Sequence, residues 1–193
     1  MADAMTQKDR TRARILDEAA KAMREHGSDG IGVAALMKRA GLTHGGFYAH
    51  FADRDDLVAH AIDRMFQDSS RMLDRTLGQE DAAAGLRALI DHYLSDAARA
   101  NVDRGCPLPG LSGEAGRMPA AARGRFEAGV TRFCAALERA LTLLGAPEPA
   151  AQAASILAEL VGAMALARAV QDDEQASALL RASREQLKRR IGI

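Results

Sequence analysis

Along nearly the whole of this chain the apolar residues return at every third or fourth position, and they never form an alternating run. Ile15, Leu16, Ala19, Ala22 and Met23 make one such set, and Leu57, Val58, Ala61, Ile62, Met65 and Phe66 make another. A third runs through Phe126, Val130, Phe133, Leu137 and Leu141. This period puts side chains on one face of an α-helix. Alanine, the best helix former, dominates, while the β-branched residues that suit strands are sparse. The pattern therefore predicts an all-α protein whose helices pack closely through small side chains. Apolar residues at 48% are ample for a core, even with aromatics at only 4% and no tryptophan.

Glycine and proline punctuate the pattern into about nine helices. The first is predicted from Asp9 to His26, after a frayed start over residues 1–7, and Gly27 ends it. The Ser28–Gly32 connection leads to a short amphipathic segment, Val33 to Arg39. A helix from Asp53 to Leu73 follows, with Asp53 as its cap and Asp55 and Asp56 suiting the macrodipole. Another is expected from Asp81 to Asn101. Residues 104–117 hold two prolines and four glycines and permit at most a short helix. Long helices are then expected over Pro119–Leu144, Ala150–Val170 and Asp173–Ile191.

The most specific stretch is A-G-L-T-H-G-G-F-Y-A-H-F-A-D-R-D-D-L, Ala40 to Leu57. Gly41 supplies a turn after the short amphipathic segment, and Thr43 is placed to cap a second helix with its hydroxyl. Helix, glycine-containing turn and second helix is the layout of a helix-turn-helix, whose second helix enters the DNA major groove. Gly45 and Gly46 each cost about 1 kcal/mol in a helix relative to alanine. A purely structural helix has no use for them, but one that brings its backbone close to another surface does. Phe47 and Phe51 read as core anchors.

This segment, preceded by I-G-V-A-A-L-M-K-R-A, resembles the helix-turn-helix core of the TetR/AcrR family of bacterial transcriptional regulators. The likeness covers about 50 N-terminal residues in order, spacing and residue type. One departure stands out: the basic position after Phe51 is usually lysine in the family and here is Arg54, which adds forked donor geometry. The resemblance implies a three-helix DNA-binding domain over residues 1–52 and a helical ligand-binding and dimerisation domain over residues 53–193. Thr43, His44, Gly45 and Gly46 are then the base-reading candidates, and Tyr48, His50 and Arg54 the phosphate contacts. Lys8, Arg10, Arg12 and Arg14, in or just before the first helix, are further backbone contacts. The segment Gly105-Cys106 through Leu111 to Glu114 resembles a G-C-x-x-x-x-L-x-x-E element of one large subset, where a short helix borders the ligand cavity.

The C-terminal helices are expected to enclose that cavity. Met65, His92, Tyr93, Cys106, Leu108, Phe126, Phe133 and Met164 are candidate lining residues, a set that suits a mostly apolar effector with one or two polar contacts. Arg104 beside Cys106 suggests a lowered thiol pKa and hence an alternative, thiol-based switch. Apolar residues on more than one side of the Ala150–Val170 helix imply a partner. The resemblance makes that partner a second copy, paired through the last two helices, so that two recognition helices meet a palindromic double-stranded operator.

The net charge is zero, with 26 basic and 26 acidic residues, and residues 1–60 carry nine of each. That balance argues against a non-specific DNA coater and is less damaging for a sequence-specific reader, for which local placement decides. Lys8 to Arg14 is such a place, with four basic residues against one acid. Cys106 and Cys134 lie in no CxxC arrangement, so neither a structural metal nor a cofactor is expected. Without a signal peptide or a charge-free apolar run of spanning length, a soluble cytoplasmic protein is expected, with no membrane partner. No HExxH, GxSxG or phosphate loop supports an enzyme. A helical interaction protein that ignores DNA is the other rival, and steep salt dependence of duplex binding separates it from a regulator.

Overall fold

The computed structural model describes residues 6–30 and 32–193, so the expectations for residues 1–5 and Ile31 lie outside the described residues. Among the described residues there are nine α-helices, two short 3-10 segments and no strand. Helix α1 (Gln7–His26) begins on a reciprocal cap: the Asp9 N–H donates to Thr6 Oγ1 at 3.1 Å and the Thr6 N–H to Asp9 Oδ2 at 3.2 Å. Thr6 and Gln7 therefore start the helix and are not part of a frayed tail. Helix α2 (Val33–Arg39) ends in a turn where Gly41 takes φ +67°, a conformation costly for any residue with a Cβ. A 3-10 segment (His44–Ala49) then stands where the second helix was expected. Thr43 gives it no side-chain cap. Instead the Thr43 carbonyl accepts the Gly46 N–H at 3.1 Å, the i to i+3 bond that tightens the coil.

Helix α3 (Arg54–Leu77) is the spine of the molecule and runs one turn further than expected. Asp53 caps it, accepting the Asp56 N–H at 2.8 Å. Leu57, Val58 and Ala61 of its first half are buried, and the His60 ring lies 6.4 Å from that of Phe51. The helix packs on α1 as well as on the later helices Ala82–Tyr93 and Ala120–Leu143.

The expected Asp81–Asn101 helix is two helices, α4 (Ala82–Tyr93) and α5 (Asp96–Ala100). Ser95 causes the break: its hydroxyl accepts the Ala98 N–H at 3.0 Å and donates to the His92 carbonyl at 2.9 Å. A side chain that satisfies the end of one helix and the start of the next outweighs the helical propensity of the alanines around it. The second 3-10 turn (Val102–Arg104) leads to α6 (Leu108–Ala115), the short helix that the prolines allow.

Helices α7 (Ala120–Leu143), α8 (Pro149–Ala169) and α9 (Asp173–Ile191) match their predicted extents within a residue. Helix α3 packs along α7, α7 along α8, and α8 along α9. At the α3–α7 crossing a Cβ on Gly129 would lie 2.2 Å from the Phe66 ring, so only glycine allows this separation. Helix α8 has the length and apolarity of a membrane span, yet one side of it is core. Both of its charges are engaged: Glu159 accepts from Arg190 at 2.8 Å, and Arg168 donates to the Ala98 carbonyl at 3.0 Å.

Candidate nucleic-acid interface and effector cavity

The helix-turn-helix holds its outward face through two aromatic anchors. Phe47 and Phe51 are buried and stacked, with ring centroids 5.6 Å apart, and Phe47 meets the Tyr48 ring edge-on. With Phe47 fixed inward, Thr43, His44, Gly45 and Tyr48 face outward, and Tyr48 is 68% exposed. Gly46 and His50 are half-buried, and His50 Nδ1 is buried without a partner among the described residues. A Cβ placed on Gly45 would meet nothing within 4 Å, so no contact inside the molecule requires glycine there.

The basic residues divide. Lys8, Arg10 and Arg14 are exposed on α1, with Arg10 bonded to Gln7 Oε1. Arg12 is half-buried and lays its guanidinium over the Phe51 ring at 4.9 Å. Arg54 is turned away from its expected task. Its Nη2 donates to the Ser28 carbonyl at 2.5 Å and to Asp29 Oδ1 at 3.0 Å, bracing the α1–α2 loop. Lys38, exposed at the end of α2, was not singled out from the sequence but lies beside the recognition segment.

A cavity of about 560 Å³ opens between α1, α3, α4, α8 and the turn before α6. Of the sequence candidates, His92, Tyr93, Cys106 and Met164 line it. Met65, Leu108, Phe126 and Phe133 do not; they are core. Phe126 packs edge-on against Phe66 and Phe133 against Tyr93, filling helix seams. The expected apolar character does not hold either. Seven lysine and arginine side chains and three aspartates line the cavity, because α1 and α3 meet there through ion pairs rather than apolar contact.

Arg24, 7% exposed, is the centre of that network. It donates to the Met65 carbonyl at 3.2 Å, the Asp103 carbonyl at 3.1 Å and Asp68 Oδ2 at 3.0 Å. Arg64 bonds Asp17 and Asp68, each at 2.7 Å. Burial alone would raise the Asp68 pKa, but the hydrogen bonds from Arg64 and Arg24 outweigh it and hold the carboxyl below its ordinary value. A second brace joins the halves: Glu114 on α6 accepts the Ser28 N–H at 3.0 Å and the Ser28 hydroxyl at 2.6 Å.

Cys106 does not have the environment expected of a reactive thiol. Arg104 is exposed and turned to Asp103. Removal of the sulfur from water raises the Cys106 pKa, against smaller opposing effects from Tyr93, the Leu108 N–H and Ser69. Arg24, Ser69 and Arg168 were missed from sequence. Arg168 had a signal, being one of only two charges in the most apolar helix.

An all-helical chain with an aromatic-anchored helix-turn-helix at one end and a cavity-bearing helical body at the other has the layout of a DNA-binding transcriptional regulator. Residues 15–61 match the profile of bacterial regulatory proteins, tetR family. Over those residues the chain carries a helix-turn-helix segment of the tetR-family type. An uncharacterised HTH-type transcriptional regulator of Mycobacterium tuberculosis is 28% identical over 171 residues, covering 83% of this chain and 86% of the relative. A TetR regulator from Chloroflexus aurantiacus shares the fold with TM-score 0.84 at 22% identity, covering 97% of each chain. Escherichia coli NemR in its reduced form gives TM-score 0.82 at 21% identity, covering 93% of this chain and 96% of that one.

Proposed function

We propose that this regulator is a cytoplasmic, ligand-released repressor that binds a palindromic operator as a homodimer. Thr43, His44, Gly45 and Gly46 read bases, and Tyr48 and His50 reach the phosphates with Lys8, Arg10 and Arg14. Arg12 and Arg54 are positioning groups, the first holding Phe51 and the second the α1–α2 loop. The division of labour follows residues 1–52 and 53–193. One observation carries the reading: a single helix, α3, packs on α1, sets its His60 ring 6.4 Å from that of Phe51 at the end of the recognition segment, and offers Asp68, Ser69 and Met72 from its second half to the cavity. An effector seated there bears on the same rod that sets the recognition segments.

The effector releases DNA only if it binds the non-operator arrangement more tightly; equal affinity for both shifts nothing. The test is fluorescence anisotropy with duplexes tiling the chain's own genomic neighbourhood at several ionic strengths. A symmetric site bound with a steep fall of affinity with salt supports the reading. Binding to no duplex even at low salt would sink it.

A further inference from the structure

Taking the cavity as the effector site, as above, we propose that its effector is an organic oxyanion, a carboxylate or phosphate on a short apolar body, seated on Arg168, Tyr93 and Ser69. Three observations support this. First, the lining carries seven cationic side chains against three aspartates in a chain whose net charge is zero. All three aspartates are already taken. Asp17 pairs with Arg64, Asp68 with Arg24, Arg64 and Arg71, and Asp103 with Arg104.

Second, Arg168 is the cation left over inside. It is half-buried on α8 and has no carboxylate partner among the described residues. Among the described residues its one bond is to the neutral Ala98 carbonyl, and its Nε is buried with no partner. Desolvation lowers its pKa, as expected for a charge removed from water without a counterion. Buried charges are normally paired, since an unpaired one is costly. The guanidinium also has room made for it: a Cβ on Gly105 would stand 3.0 Å from Arg168 Nη2.

Third, two buried hydroxyls line the same cavity. Ser69 and Tyr93 are each only 4% exposed, and neither oxygen has a hydrogen-bond partner of sound geometry among the described residues. Tyr93 lies close enough to Arg168 and Cys106 to feel their charge. A guanidinium plus two buried donors is the constellation that holds an oxyanion, and charge-assisted bonds of this kind are the strong ones. Met72 and Met164 supply an apolar wall for the rest of the molecule. The volume, about 560 Å³, falls within the roughly 300–1,000 Å³ of small-molecule sites.

The experiment uses the full chain and paired probes at constant ionic strength: 3-phenylpropanoate, hexanoate and phenyl phosphate, with 3-phenylpropanamide, hexanamide and phenol as neutral counterparts. Binding is read by calorimetry and by thermal shift. The acids are expected to bind roughly tenfold or more tightly than their neutral counterparts, the scale of one charge-assisted contact. Arg168→Gln removes that preference, Arg168→Lys keeps it, and Tyr93→Phe weakens the acids alone. The carboxylate-to-phosphate ratio tells which oxyanion the seat fits. Neutral probes binding as well as the acids would overturn the oxyanion inference and leave the effector cavity standing. An acid preference untouched by Arg168→Gln would overturn this seat. If no probe of either charge bound, both the inference and the effector-site reading would fall.

Discussion

Gly45 is the residue where local energetics and the surrounding space disagree most clearly. It sits in the first turn of the recognition segment, where glycine costs about 1 kcal/mol relative to alanine in a helix. Space for a methyl group is open around it, so the fold does not ask for the glycine. Gly45→Ala is therefore expected to leave the melting temperature unchanged or raise it by about 2–4 °C, while operator affinity drops. The drop should reach roughly tenfold, as backbone approach to the groove is lost. Melting curves and anisotropy on one preparation test both halves; a variant that binds DNA like the parent would return Gly45 to the status of an ordinary turn residue. Cys106 makes the opposite case, a residue whose neighbours in sequence suggest a lowered thiol pKa and whose burial raises it instead. With its pKa raised by burial, the thiolate fraction at neutral pH is below that of a free cysteine, and it grows only as pH climbs through the raised value. Iodoacetamide should modify Cys106 more slowly than glutathione at pH 7, with the difference narrowing at alkaline pH, as mass spectrometry of the peptide would read. Both residues were visible in the sequence. What it lacked was the surroundings: empty space beside one, and Tyr93, Ser69 and Leu108 around the other.

Among the elements, α6 is a short segment with a long reach. One proline and two glycines within eight residues make it a poor helix on its own account, yet Glu114 near its end ties the α1–α2 loop down by two bonds to Ser28. Arg54 pulls on the same loop from α3. The loop that leads into the helix-turn-helix is thus held at once by the rod and by the segment bordering the cavity. Glu114→Gln keeps the shape but replaces a charged acceptor by a neutral one, a loss of about 1–2 kcal/mol for bonds of this type. The melting temperature should fall by about 2–6 °C, and an effector should release operator less steeply, because the cavity no longer grips the loop. If release kept its full amplitude in the variant, the coupling would run through α3 and Arg24 alone. The long helices were legible because their apolar period is strong, and Asp53 caps α3 as its place in the sequence suggested; the caps Thr6, Asp81 and Asp172 emerged only from the structure. The break at Ser95 and the 3-10 form of His44–Ala49 were not. Each turns on a single hydrogen-bond choice that helical propensity and period do not encode.

For the whole molecule the question is what covers α8. Its inner side packs between α7 and α9, but Ala151, Ala154, Ser155, Ala158 and Leu166 face outward, and Leu166 is 60% exposed. These positions recur at helical spacing, and most are small, which suits close approach of a second helix. A second copy of the chain, related by a two-fold axis, would cover the stripe and set the distance between two recognition segments. Ala158→Arg places a long cation in the middle of the stripe. Because Ala158 is exposed in the single chain, the substitution should leave the fold intact, with an unchanged circular dichroism spectrum. In sedimentation equilibrium the variant should be a monomer where the parent is a dimer. Operator affinity should then fall by roughly a hundredfold or more, the scale lost when two linked half-site contacts become independent. Binding of a small molecule in the cavity, which is lined by one chain, should persist. That separation matters: loss of DNA binding with cavity binding retained assigns the stripe to assembly. A variant that remained dimeric would show that the two copies meet elsewhere.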